Sequence, residues 1–596
     1  MAELTHSIDT NHMLTALECV LALTRVLVRA PCNDLTVPPL FLSRLHCSLS
    51  FNQLGPEGAQ LLSDVVSHTR TISTLDVCNN DFGADGARHF AAGLAENRSL
   101  TNLDMSHNRL TGEHPFDDVG GVIAIAESLG TRHCALAFLN LSYNRIANEK
   151  STAGCVALGG VIATNCTLER VLLNTLPLFV QELRGTDGVT SVDFSGKNVG
   201  LDDLSVIACL ISGNPILKSI DLRFNPQINS TQGAGALGNA LMNNRRARVE
   251  FIFMDRYEVS PTTVTLALVN ASLSPNDMVL LGAVLKWNDT LKELVLKDNL
   301  ICGVAACTIE GHDLQGLKQL CVGLAANHSI QVLDLSNNAI MHEGGKLIAE
   351  MLLQNNTLHT VFLARNGLCR EGYSSHCRQI VDTLRYNKQI THLDLHDNDV
   401  QPDVIERLAA ILPHSNTLAN LDIRDNDISR DAGTAFGHAL DHNFSLKSLG
   451  MGTSTLDLVA LKEDKLTELN LGQSYLGPGG VIILCQLLQF SENLALLDLS
   501  ENGMGLAGGK AVGELMSANE GIHKYNLQGN GLCGIEYDFA NSKWKGRYDT
   551  SVIDKFCGVI QRSKADRTVD VRNNSIKPAL AKHLFKHFGK SFLYQN

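Results

Sequence analysis

Two Cys/His groups and two Gly-Gly-Lys triplets are the parts of this 596-residue chain whose types and spacing could do chemistry. Cys302 and Cys307 with His312, and Cys369 with His376 and Cys377, carry the donor atoms of a zinc site. Their spacing fits no standard zinc pattern, and neither group has a second ligand pair beside it. Gly344-Gly345-Lys346 and Gly508-Gly509-Lys510 brush against a phosphate loop, in which backbone amides cradle an anion, but neither completes G-x-x-x-x-G-K-[ST]. No HExxH, G-x-S-x-G or kinase set occurs, and no nucleophile stands next to a base. These residues predict a chain without enzymatic activity, cofactor or metal.

The same residues fall into register once a repeat is recognised. Cys302, Cys369 and Cys533 each stand three positions after an asparagine, which marks them as small core residues under a turn. The segment Leu100–Leu110 reads L-x-x-L-x-L-x-x-N-x-L. Its asparagine recurs at Asn52, Asn80, Asn108, Asn144, Asn225, Asn299, Asn338, Asn366, Asn398, Asn426, Asn502, Asn530 and Asn574, and five of those steps are 28 residues. Degenerate copies place Lys197, Ser454 and Ser474 at the asparagine position, while the stretches around 171–190 and 249–273 have no fixed register. The L-x-L alternation predicts a short strand with one buried face. A glycine follows (Gly58, Gly86, Gly344, Gly480, Gly508), where the chain is expected to turn into an amphipathic helix. A second asparagine before the next strand (Asn97, Asn165, Asn327, Asn355, Asn519 among others) is expected to end each helix in the left-handed conformation. Six of these helix-end asparagines sit in N-x-[ST] sequons, a spacing that the repeat itself explains.

The phrase N-x-[ST]-L-x-x-L-x-L-x-x-N-x-[IL], followed by a glycine and a helix, resembles the leucine-rich repeat family of ribonuclease-inhibitor type, and the match runs from about Leu45 to Ile576. The resemblance implies an α/β solenoid of about 17–18 repeats, a horseshoe with parallel strands on the concave face and helices outside. The organisation expected is an N-terminal helical cap over 1–43 with a helix at Met13–Val28, the solenoid over 44–576, and a C-terminal helical cap over 577–596. Insertions are expected near 111–118, 301–312 and 533–565. The repeats also resemble those of NOD-like receptors and of Ran GTPase-activating proteins; no nucleotide domain precedes the repeats, and the acidic tail of the latter is missing.

Composition narrows the setting. Apolar residues make up 44% and charged ones 19%, so the chain is expected to fold. No window approaches ~18 consecutive apolar residues, so no membrane span is predicted. Glu3, Asp9 and Glu18 stand where a signal peptide would be basic and then apolar, which points to a cytoplasmic protein, with cytoskeletal or axonemal assemblies as a setting the resemblance allows.

Two patterns carry the functional expectation. The residue between the second and third leucines is Asp at 76, 104, 193, 221, 334, 394, 422, 498 and 570, either an ordinary solvated strand surface or a stripe for a basic partner. Superimposed on it are side chains suited to anchoring a partner: Phe138, Tyr143, Arg223, Phe224, Phe362, Arg365, His392, His396, Arg424 and Asp425. The segment from Ala540 to Lys590, with Trp544, Lys545 and Arg547, holds twelve Lys/Arg against four Asp, so the net −13 of the chain divides into +8 there and −21 elsewhere. Such an end suits an acidic surface or a soluble basic cap. The function expected is a protein-protein interaction scaffold. Two other readings stay open: a GTPase-activating protein acting on a small GTPase by contact, and RNA binding through the basic end.

Overall fold

The computed structural model describes residues 45–112, 118–147, 151–246, 248–305, 310–538, 543–563 and 566–594. The helix expected at Met13–Val28 lies outside them. The chain divides into two compact units, one over Met1–Thr263 and Asn276–Asn288, the other over Val264–Pro275 and Asp289–Asn596. Each is a stack of strand–turn–helix repeats, an α/β leucine-rich repeat solenoid.

In the first unit, the strands Leu45–Ser48, Ile72–Asp76, Asn102–Asp104, Phe138–Asn140 and Arg170–Leu172 pair in parallel, and Pro177–Phe179 closes the sheet antiparallel. Register holds each central apolar residue opposite the next: Leu75, Leu103, Leu139 and Val171 lie in one buried row. A second sheet holds Ser191–Asp193, Ser219–Asp221 and Phe251–Phe253, closed antiparallel by Glu258–Val259. In the second unit an eight-stranded sheet runs from Thr265–Ala267 to Ser448–Met451 and is closed antiparallel by Ser454–Asp457. A five-stranded sheet begins at Glu468–Asn470 and ends at Phe592–Leu593. The hairpin Ile535–Asp538 with Lys543–Gly546 stands apart from both.

The turn asparagines explain the parallel stacking. Asn80 Nδ2 donates to Leu49 O of the preceding repeat at 2.8 Å and to Val77 O of its own, while its Oδ1 accepts the backbone N–H of Asn52 at 3.0 Å. Asn108 repeats this toward Asn80, and Asn366 toward Asn338. One buried amide thus satisfies three or more backbone groups that no strand ladder reaches. The ladder lapses where a hairpin takes over: after Asn144, after Asn225 and after Asn426 come Arg170–Phe179, Phe251–Val259 and Ser448–Asp457. The stretches without register combine worn copies with hairpins: Arg170–Leu172 and Thr265–Ala267 still pair in parallel, with Ala271 at an asparagine position, while Pro177–Phe179 and Glu258–Val259 reverse the chain. Ser454, expected at an asparagine position, instead opens the returning strand of the third hairpin.

Two expectations about the helices are corrected. The helix-end asparagines are extended, with φ −74°, ψ 142° at Asn97 and φ −76°, ψ 134° at Asn355. They act through the side chain: Asn97 Nδ2 donates to Val66 O at 2.7 Å, and its Oδ1 accepts from the amides of Ser99 and Leu100. The glycines at 58, 344 and 508 lie inside the first helical turn with ordinary φ. They are required by close packing, since an added Cβ would sit 2.5 Å from Leu54 Cβ at Gly58 and 2.6 Å from Met504 Cβ at Gly508. Glycines with φ near +60° instead open such helices, Gly55 ahead of Gly58 and Gly477 ahead of Gly480.

Candidate protein-interaction surface

The aspartates that close the strands have a local role. Asp104 Oδ1 accepts the amide of Ser106 at 2.9 Å, and each of the other eight accepts the amide two residues on in the same way. A short carboxylate that caps its own turn gives the residue type a structural reason. Three of them also hold an arginine. Arg223, Arg424 and Arg572 fork onto Asp221, Asp422 and Asp570 through Nε and Nη2 at 2.5–3.1 Å. A bidentate pair fixes the guanidinium plane before any partner arrives.

Four of the sequence-derived candidates, Phe362, His392, His396 and Arg424, gather on or just past three adjacent strands, Thr360–Phe362, His392–Asp394 and Asn420–Asp422. The rings of Phe362 and His392 lie 4.9 Å apart. His396 Nδ1 stands 3.3 Å from Asp394 Oδ1, and Arg424 closes the row on Asp422. Burial holds the His392 imidazole below its ordinary pKa and pushes the Asp394 carboxyl up, the latter opposed by the hydrogen bond from the His396 amide. Among the described residues, Asp394, His396 and Asp422 could hold a metal, with donor atoms within 4.8 Å of one another. The Arg424 guanidinium already satisfies Asp422, so the geometry suits recognition of a surface better than an ion.

Tyr143, Phe224, Arg365 and Asp425 are not on the strands. They occupy the turn position just before the asparagine, with φ of 59°, 61°, 57° and 52°. The left-handed backbone turns each side chain outward: Phe224 is 69% exposed and Tyr143 55%. Tyr143 stacks on His107, its counterpart one repeat earlier, with ring centroids 4.3 Å apart. Arg365 pairs with Asp397 at 3.3 Å across the same row of turns. Phe138 and Arg223 lie in different sheets of the first unit, each half-buried, with Arg170 stacked 4.6 Å over the Phe138 ring. Trp544 and Lys545 lie on the strand Lys543–Gly546 of the free-standing hairpin, and exposed Arg547 follows it. Part of the basic charge at this end is structural. Arg567 is 2% exposed and donates to the carbonyls of Met516 and Asn519 at 2.6 Å, closing the C-terminal end of helix Gly505–Ala518.

The sequence is similar to known leucine-rich repeats. Family models described as Leucine Rich repeat match residues 48–63 and 326–349, and another of that description matches 99–117. The chain's repeats are leucine-rich repeats, and the chain is similar to proteins of ribonuclease-inhibitor type. It is 27% identical to the ribonuclease inhibitor of Mus musculus over 297 residues, 45% of this chain and 58% of that protein. It is 28% identical to NACHT, LRR and PYD domains-containing protein 14 of Mus musculus over 202 residues, 34% of this chain. The chain spans only 18% of that relative and less than two thirds of the inhibitor. Among solved structures, the leucine-rich repeat-containing protein LegL7 from Legionella pneumophila aligns over 62% of this chain and 89% of its own at 14% identity, with a TM-score of 0.21. No helix among the described residues is long and apolar enough to cross a membrane.

Sequence reasoning passed over one site in this leucine-rich repeat protein, the break between Pro177–Phe179 and Ser191–Asp193 in the first unit. A groove of about 550 Å³ separates the two sheet edges, lined among others by Phe179, Val192 and Lys197. Thr175 joins it to a pocket of about 710 Å³ walled by His107 and Tyr143 and floored by Asp202. Asp202 and Asp203 are 7% and 0% exposed at the start of helix Leu201–Ile211. The readable signal was two adjacent acids in the otherwise apolar segment LDDLSVIACLI.

Proposed function

We propose that this protein is an interaction scaffold that docks a partner protein on the strands Thr360–Phe362, His392–Asp394 and Asn420–Asp422. The observation that carries this reading is the pre-arranged row of Phe362, His392, His396 and Arg424, each held by a neighbour yet only partly covered. Aromatic and arginine side chains fixed in one conformation lose little entropy on docking, which is how a few residues come to dominate an interface. The outward turn residues Arg365 and Asp425 extend the row along one side. The relatives support the reading in kind: one is named for inhibiting a ribonuclease, itself a protein. The partner is expected to bury ~1,200 Å² or more.

The test is affinity capture with the full chain and with Phe362→Ala/Arg424→Glu. The wild type is expected to retain a stoichiometric partner and the double variant to retain it at least about tenfold less well, both with the same far-ultraviolet circular dichroism. Equal retention by the two proteins would move the interface elsewhere, and no stoichiometric partner in any extract would count against a scaffold.

A further inference from the structure

Two neighbouring carboxylates at the break in the first unit have no counter-cation among the described residues. Asp202 Oδ1 accepts the amide of Ala147 at 2.6 Å and lies 4.0 Å from the thiol of Cys155. Its Oδ2 receives no hydrogen bond among the described residues, although the residue is 7% exposed and lines the pocket. Asp203 Oδ2 accepts from the amide of Gly200 and from Asn174 Nδ2, while its fully buried Oδ1 has no partner. Arg145, also on the lining, pairs with neither carboxylate. Burial pushes the Asp202 carboxyl up to about 7, helped by the charge of Asp203 and opposed by the Ala147 amide. A buried charge without a partner is expensive, and a folded protein retains one where something else completes it.

The same unit shows what completes such a position. Helix Pro275–Leu285 also follows a hairpin and also carries an aspartate as its third residue, Asp277, 1% exposed. There Arg256, from the hairpin itself, places Nη1 2.8 Å from Asp277 Oδ2. At the first break the third-residue aspartate is Asp203, and there Asn174, from the turn of that hairpin, takes the arginine's place with Nδ2 3.1 Å from Asp203 Oδ2. Asp202, one residue earlier, has no cation of the described residues against it and faces a pocket with the stacked rings of His107 and Tyr143 as one wall.

We propose that this pocket receives an arginine side chain of a partner protein, its guanidinium on Asp202 and its flat face along Tyr143. Guanidinium fits better than ammonium because it is planar, offers a fork of donors to a carboxylate and stacks on an aromatic ring. At about 710 Å³ the pocket holds a whole arginine side chain with water to spare. The inference rests on the scaffold reading and names one anchor that a partner would carry, at a place remote in sequence from the strands assigned to docking.

The test needs no partner. N-acetyl-L-arginine methylamide is titrated into the full-length protein and followed by ligand-observed NMR, with the uncharged isostere N-acetyl-L-citrulline methylamide and the lysine analogue as controls. The arginine probe is expected to bind in the millimolar range, the lysine probe more weakly and the citrulline probe at least about tenfold more weakly. Asp202→Asn keeps the shape and the acceptor for Ala147, and is expected to abolish the difference between arginine and citrulline. Gln227→Lys, an exposed residue on the pocket wall, brings a cation to the site without touching either aspartate and is expected to block the probe. Equal binding of arginine and citrulline, or an unchanged preference in Asp202→Asn or Gln227→Lys, would overturn the proposal. Probe binding that survives a failed capture experiment would leave the pocket standing and revise only the docking strands.

Discussion

The unbroken parallel run of the second unit and the broken sheet of the first treat buried polar groups in opposite ways. From Asn299 to Asn426 each turn amide is spent on its neighbours, each strand-end carboxylate on its own turn, and Arg424 on Asp422. The surface left over is fixed in shape and locally neutralised. At the break after Pro177–Phe179 the ladder has no asparagine to carry it. A sheet edge opens, a pocket forms and two carboxylates are buried with no cation of the described residues against them. Regularity produces a rigid platform; its interruption produces an unsatisfied site. In a stack where each repeat touches only its neighbours, such an interruption can be accommodated locally without unravelling the rest.

The largest effect should come from cutting the regular ladder. Asn366→Ala removes the acceptor for the Asn338 amide and the donor to Leu335 O and Leu363 O, all buried. With roughly 1–3 kcal/mol for each buried group left unpaired, the cost is expected at about 3–5 kcal/mol in denaturant unfolding. Loss of less than about 1 kcal/mol would mean that water replaces the amide and that the ladder is not what holds the run.

At the break the sign reverses. A carboxyl whose pKa is raised by folding binds its proton more tightly in the folded state, so its stabilisation is complete below the ordinary carboxylate range and is lost as pH rises through about 7. Each pH unit below 7 is worth about 1.4 kcal/mol, so between about pH 5.5 and 8.5 the wild type should lose about 2 kcal/mol relative to Asp202→Asn. Near pH 8.5 the asparagine variant should be the more stable protein. A difference that does not change with pH would show that Asp202 is solvated and that the break is no different from the run.

The two regions were also unequally legible. The run could be read because its constraints repeat: a leucine row needs leucine every 28 residues, and a turn amide needs asparagine. The breaks could not, because hairpin residues such as Leu176, Leu178 and Leu456 keep the L-x-L alternation while reversing the chain, and Ser454 falls on the asparagine phase by count alone. The candidate surface was half legible. Strand phase found Phe362, His392 and Arg424, but only backbone φ separates them from Tyr143, Phe224, Arg365 and Asp425 on the turns. The aspartate stripe was read as surface charge, whereas its spacing to the amide two residues on is what selects it. The two acids in the apolar segment LDDLSVIACLI were the readable sign at the break, but it was a weak one, since an acid in a first helical turn is ordinarily exposed.

Arg424→Glu separates rigidity from recognition within the run. The Arg424–Asp422 pair is partly exposed, so breaking it should cost under about 1 kcal/mol of stability. The same change should weaken partner retention at least about tenfold, because the fixed guanidinium is replaced by a second acid beside Asp422. Destabilisation comparable to Asn366→Ala would place Arg424 in the framework rather than on the platform.

The smallest effect should come from the serine that stands where the ladder fails. Ser454 Oγ meets Ser474 Oγ at 2.7 Å, and the adjoining turn is held by the backbone bond from Thr453 N to Ser474 O at 2.8 Å. The hydroxyl pair is half-buried and joins two side chains that water can also serve. Ser454→Ala is therefore expected to cost no more than about 0.5–1 kcal/mol in the same unfolding experiment. Ser454→Asn restores the residue type of the ladder at the same count. In a parallel repeat it would stabilise; in the returning strand of a hairpin its amide faces no row of carbonyls, and stability should fall or stay unchanged. Stabilisation by about 1 kcal/mol or more would show that this break is a damaged repeat after all, and that the distinction between run and break belongs to the residue rather than to the reversal of the chain.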